Sequence, residues 1–388
     1  MASRNRTALN YALIFAANGI SLPFAGLWFQ SRGLSGAEIS VILAVPMLAR
    51  LITGPMIAVW ADGFRYRRTP LSLLALIAAL AYGAAGLADG FALWLPLWLV
   101  AASCAAALVP LSDVLTLRLS AREGFAFGVP RGVGSAAFVG ANVGMGALLV
   151  QAPPDVIILG IVISTLLAAL AARVVLPPEP VSETGPTRKR DRFAGMGRLV
   201  ADPVFMTAIL AVGTIQATHG FLYAFSAIEW KARGISEAMT GLLWAFSVVV
   251  EIAFLWVIDP WRRRRGIGPW ALLMAGGVAA VFRWTALATM PPLWLLWPLQ
   301  ALHALTFAAV FIAGLELVEK LSPPQHATAA QTLGSTLSSG VLIGLATLLA
   351  GPLYDGYGAL GYGAMSLMAM LGLLAGWRLR PHALARRL

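Results

Sequence analysis

Charge is scarce in this chain. Asp, Glu, Lys and Arg make up 12% of its 388 residues, about half the share in a soluble domain. That leaves too little polar surface to cover a water-soluble particle of this size, so lipid must be the solvent for most of it. Cysteine is nearly absent: Cys104 stands alone, which excludes an intrachain disulfide and a multi-cysteine metal site. There is no Walker A loop, no H-E-x-x-H and no aspartate-rich diphosphate motif. Nor is there a nucleophile–base pair, so neither an enzyme nor a cofactor is expected. A short apolar leader with an A-x-A-like exit is also missing, and the first apolar run is expected to be a span rather than a signal peptide.

What the chain does have is apolar runs. Hydrophobic residues make up 59%, and mean hydropathy is +0.80. A spanning helix needs about 20 mostly apolar residues. Twelve such runs lie near 7–30, 36–60, 70–88, 91–118, 129–151, 155–176, 203–230, 237–258, 269–290, 292–319, 327–352 and 358–379. The segment 177–202, rich in proline and charge and containing Thr187 to Arg192, divides them into six plus six. The expected domains are a bundle over 1–176, a cytoplasmic linker over 177–202 and a bundle over 203–388.

The net charge of +11 does not indicate nucleic acid, because the basic residues sit in short loops with no soluble domain to carry a binding face. They sort by side instead. Arg65, Arg67 and Arg68, Arg188 to Arg192, Arg262 to Arg265, and Arg378, Arg380, Arg386 and Arg387 fall on one side, whereas Arg32, Lys231 and Arg233 fall on the other. Lysine and arginine favour cytoplasmic loops. Both termini are therefore expected in the cytoplasm, in a bacterial-type inner membrane.

The two halves repeat. An offset of 201 lays Asn18-Gly19 on His219-Gly220, Arg32-Gly33-Leu34-Ser35 on Arg233-Gly234-Ile235-Ser236, and Arg50 on Glu251. About one helical turn short of that offset, Asp62 to Arg68 lies on Asp259 to Arg265, both reading D-x-aromatic-R-x-R-R. Parallel six-helix repeats with a site near the bilayer midplane are a transporter architecture.

On these loops the chain resembles the major facilitator superfamily, although Ala58 replaces the glycine that usually opens the motif and Gly63 a basic residue. Several stretches resemble its phenylpropionic acid permease branch, related to lactose and nucleoside proton symporters. They are Leu111 to Val114, Phe127 to Ser135, His219 to Ile228, Val250-Glu251, Phe282 to Trp284 and Leu302 to Phe307. The resemblance implies an all-α integral membrane protein of twelve transmembrane helices in two pseudo-symmetric six-helix bundles. It also implies import of a small organic solute by proton symport and alternating access, with aromatic carboxylates such as 3-phenylpropionate as one substrate class. A sugar or nucleoside symporter is the alternative within the class. A solute sensor that has lost transport is the alternative outside it.

Ionisable side chains inside a span cost about 2.5–3.5 kcal/mol on insertion scales and normally face a cavity or a partner. Asp113 and Arg131, near the same ends of spans four and five, are placed to meet across one loop, and resemble the carboxylate–arginine pair of lactose permease; a structural ion pair is the plainer reading. Glu251 is the leading coupling carboxylate, since burial and a nearby arginine act oppositely on a carboxyl group's proton. The alternative is a constant pair with Arg131 or Arg50. His219 and His303 are the other proton candidates. Arg50, Arg131 and Arg283 are candidates for a substrate anion, with Glu316 as a second possible partner for Arg283. Asn142, on the Arg131 face of span five, and Gln331, in the polar stripe of span eleven with Thr328, Ser335 and Ser338, suggest cavity or tight helix contact. Asn18, Tyr223 and Trp244 complete the substrate candidates. Membrane lipid is the only other partner expected, with no obligate protein partner.

Overall fold

The computed structural model describes residues 1–181, 196–323 and 326–382, with the side chain of Thr328 excluded. Most of the expected linker, including Thr187 to Arg192, and the arginines Arg386 and Arg387 lie outside these residues. The protein is all-α: among the described residues the one β feature is a single bridge, Tyr66 to Pro180. The spans are α1 (Ser3–Ser31), α2 (Gly36–Asp62), α3 (Arg68–Leu87), α4 (Phe91–Glu123), α5 (Gly128–Leu148) and α6 (Asp155–Val174). They continue as α7 (Pro203–Ala232), α8 (Glu237–Arg264), α9 (Pro269–Ala288), α10 (Leu293–Leu321), α11 (327–357) and α12 (Tyr362–Arg378).

Among the described residues, ten helical stretches are long and apolar enough to cross a membrane. The last of them, Ala329–Arg378, has 50 residues, about 75 Å of helix and more than two bilayer cores. A 3₁₀ turn at Gly358–Gly361 divides it into α11 and α12. The stretch missing from the ten is α5, where Arg131, Asn142 and a run of glycines dilute the apolar content. Outward-facing Leu80, Leu170, Trp256 and Leu371 supply the apolar surface that lipid covers.

The repeat appears as geometry. Gly33 and Gly234 end α1 and α7 with φ of +86° and +80°, a left-handed conformation natural to glycine at a helix C-terminus. The serines that follow start the next helix: Ser35 closes a capping box with Glu38, and the Ser236 hydroxyl accepts from the Met239 N–H. Each Arg-Gly-x-Ser is thus a helix stop followed by a helix start. Likewise a Cβ on Gly19 would lie 2.6 Å from the Phe138 carbonyl of α5, and one on Gly220 2.7 Å from Thr347 Oγ1 of α11. The first span of each half abuts the fifth through an equivalent glycine.

The motif loops differ. In the second, Asp259 holds Arg262 and Arg263, and both reach Glu316 of α10, at 2.5 and 2.6 Å. In the first, the segment after α6 is tied to the loop. The Arg67 N–H donates to the Glu179 carbonyl and the Val181 N–H to that of Arg65, while Arg122 pairs with Glu179 at 2.5 Å.

The chain forms two compact units. One holds the described residues up to 181 together with Ala224–Ala245; the other holds 196–223 and those from Phe246 onward. The ends of α7 and α8 distal to the termini join the first unit by glycine contacts. A Cβ on Gly26 would overlap the Ala224 carbonyl, one on Gly241 the Asn142 carbonyl, and one on Gly146 would lie 2.5 Å from that of Glu237. Small residues let membrane helices approach this closely. Gly241→Val is therefore expected to lower stability by about 1–3 kcal/mol, read as a drop in melting temperature in detergent. Gly83→Ala, where a Cβ meets nothing within 4 Å, is the neutral or stabilising control.

Candidate functional site

In the second unit, a break in α7 positions the first functional side chain. The helix runs Pro203–Ala217, skips Thr218 and resumes at His219. The Gln216 carbonyl at the break lies 2.9 Å from His219 Nδ1. A carbonyl only accepts, so Nδ1 carries the hydrogen and Nε2 presents its lone pair, assigned here from the bonding pattern. That nitrogen lies 3.1 Å from Thr306 Oγ1 and 3.5 Å from Arg283 Nη1.

Arg283 of α9 is fully buried among neutral groups. It donates to Thr306 Oγ1 at 2.9 Å and to Gln300 Oε1 at 2.7 Å, and its Nη1 faces His303 Nδ1 at 3.4 Å. Among the described residues no carboxylate lies within ion-pair distance of Arg283, and its Nε has no partner. A buried charge costs several kcal/mol unless it is compensated. The compensation runs through His303: with Nδ1 accepting from Arg283, Nε2–H points at Glu251, 3.4 Å away. Glu251, His303 and Arg283 thus form a carboxylate–imidazole–guanidinium chain from α8 through α10 to α9.

Helix irregularity attends this cluster. A π-helical turn at Ala304–Ala309 directly follows His303, and another at Phe254–Ile258 begins just past Glu251. Such turns concentrate at functional sites. Phe307 stacks on His303 with centroids 5.1 Å apart, and Tyr223 lies against His219 at 5.7 Å.

The first unit holds the second cluster. Asp113 of α4 accepts from the Tyr11 hydroxyl at 2.5 Å and from Arg131 Nη1 at 3.3 Å. The Arg131 guanidinium lies over the rings of Phe15, at 4.9 Å, and Tyr11, at 5.6 Å. Both charges stay partly accessible, Asp113 at 30% and Arg131 at 37%. Asn18 follows Tyr11 and Phe15 on the same face of α1 and is half-buried. Arg50 of α2 is exposed, and no ion pair to it occurs among the described residues.

Other expectations resolve differently. Glu316 belongs to Arg262 and Arg263, not to Arg283: it sits near the motif-loop end of α10, more than three turns along from His303. Glu251 is paired with His303 rather than with an arginine. Asn142 is fully buried and donates to the Phe138 carbonyl of its own helix at 2.9 Å, so at Asn142 the face is packed, while Arg131 on the same face stays partly accessible. Trp244 is buried, with Nε1 donating to Ser226 at 3.1 Å. Gln331 lines, with Gln216, Ser335 and Ser338, a cavity of about 50 Å³, room for a water or two. Sequence reasoning missed Tyr11, Thr306 and Gln300. The last two lie three residues on either side of His303, a helical spacing that could have found them.

The MFS_1 like family model matches residues 5–362. Over 377 residues the chain is 28% identical to "Probable 3-phenylpropionic acid transporter" of Escherichia coli (strain K12), covering 96% of each chain. Over 376 residues it is 28% identical to "Maltose permease" of Geobacillus stearothermophilus, covering 94% of this chain and 92% of that one. Among solved structures, the nucleoside transporter NupG superposes with a TM-score of 0.79 at 17% identity over 98% of this chain and 99% of that one. A bacterial homolog to human lysosomal transporter Spinster gives 0.77 at 15% identity, over 96% of each chain. At such identities the structures speak for the fold alone.

Proposed function

Because this chain belongs to the MFS_1 like family and is a multi-pass membrane transporter rather than an enzyme, we propose that it is a proton-coupled symporter. It imports a small organic anion by alternating access of the repeat halves 1–176 and 203–388. The membrane is an inner membrane with both termini in the cytoplasm. The observation that carries the coupling is the Glu251–His303–Arg283 chain. It offers a site where one proton can be taken up and returned inside a span, with Arg283 as the fixed charge against which the proton is exchanged. His219 and Thr306 hold that arginine in place.

The substrate reading rests on the other cluster. Arg131, paired with Asp113 through Nη1, presents the rest of its guanidinium to an anion while its face is packed on Phe15 and Tyr11; Arg50 is a second cation, with no ion-pair partner among the described residues. Two cations against few acids suit a carboxylate. The relative named for 3-phenylpropionic acid makes an arylalkanoate the first compound to test. The relative named as a maltose permease keeps a neutral sugar as the second reading.

Uptake of labelled 3-phenylpropionate into proteoliposomes under an imposed inward proton gradient decides between them. Accumulation that collapses with a protonophore is the expected result. Accumulation of maltose but not of the acid would replace the substrate and leave the coupling reading standing. Equal uptake of either compound with and without the gradient would remove proton coupling.

A further inference from the structure

One cavity lies outside both clusters. It is an open groove of about 610 Å³ on the second unit, between α9, α10 and α12, with an almost wholly apolar lining. Ala275, Val278 and Ala279 lie along α9, Trp270 and Trp377 close one end, and Phe282 marks the other. From Trp270 to Phe282 the groove follows α9 for about 18 Å at 1.5 Å per residue, close to the roughly 15 Å of one leaflet's hydrocarbon. The tryptophan end is the end bearing the C-terminus, where Trp270 Nε1 donates to the Gly376 carbonyl at 2.9 Å. Tryptophan is enriched at that depth, where hydrocarbon meets headgroups.

The same end carries positive charge. The Arg380 guanidinium lies over the Trp377 ring, 5.1 Å from its centroid. Arg378 is beside it in the last turn of α12. Both arginines are exposed, and neither has an ion-pair partner among the described residues. A leaflet-long apolar slot with a cation stacked on its rim is complementary to one kind of molecule.

We propose that this groove is a binding site for a single anionic phospholipid, with an acyl chain along α9 and the phosphate headgroup held by Arg380 and Arg378. The site differs from the general lipid coat in selecting headgroup charge and in holding one molecule in a shaped slot. It is independent of the transport reading.

The test is native mass spectrometry of the delipidated full chain in detergent, titrated with phosphatidylglycerol or phosphatidylcholine of identical acyl chains. Wild type is expected to retain one phosphatidylglycerol about tenfold more tightly than phosphatidylcholine, each arginine near a surface contributing up to about fivefold. Arg378→Gln with Arg380→Gln should bring that ratio to about one. Ala275→Phe and Val278→Trp, at exposed positions that tolerate bulk, should each displace both lipids without lowering the melting temperature. Equal retention of the two lipids by wild type would overturn the proposal, as would groove-filled variants that still hold phosphatidylglycerol like wild type. A dimer lost in Ala275→Phe would assign the face to a second copy of the chain instead.

Discussion

Glu251→Gln is expected to abolish proton-driven accumulation while exchange of substrate across the membrane survives within about threefold. The amide has the size of the carboxyl and can still accept from His303 Nε2, 3.4 Å away in the native chain, so packing and the orientation of His303 are retained. What is lost is the carboxyl group proposed to take up and return the proton. The imidazole remains turned toward Arg283, and the buried guanidinium keeps its bonds to Thr306 and Gln300. Uptake under an imposed proton gradient should fall to the level of protonophore-treated wild type, with counterflow as the control for folding and binding. A variant that still accumulates substrate, or one that loses both activities together, would remove Glu251 from the coupling role.

The second large effect is expected at Arg131. Arg131→Gln should lower uptake at subsaturating substrate by about 10–100-fold, the size of a lost charge-assisted hydrogen bond of about 1.5–3 kcal/mol. Arg131→Lys separates two explanations. A lysine keeps the charge beside Asp113 but not the flat guanidinium that lies over Phe15 and Tyr11. If the planar cation binds substrate, Lys should recover only a small part of the loss, mainly as a raised KM. If the pair with Asp113 is only structural, Lys should restore uptake nearly to wild type, and so should Asp113→Asn combined with Arg131→Gln.

Legibility in the sequence followed the regularity of the helices. Spans, the Arg-Gly-x-Ser turns and the meeting of Asp113 with Arg131 follow from hydropathy, left-handed glycine and the shortness of one loop. Counting from span ends puts Arg283 and His303 at similar depth, nearer the outer ends, and His219 mid-helix. Their wiring does not follow from that count. The break at Thr218 and the π turn at Ala304–Ala309 reset the 3.6-residue period where the bonds form. A polar stripe also reads the same against a cavity as against a neighbouring helix. Asn142 looks like a cavity residue by spacing, yet it is buried where Gly241 of a distant span approaches its carbonyl.

The boundaries of compactness and of ancestry fall at different places in this chain. By repeat, α7 and α8 are wholly second-half helices; by packing, Ala224–Ala245 belongs with α1 and α5. A gene cut between the halves would therefore yield two incomplete pieces. The first would lack the backbone that packs over Gly26 and Gly146, and the second would lack the Asn142 carbonyl against which Gly241 packs. The helices that ancestry assigns to the second half are thus part of the packing of the first.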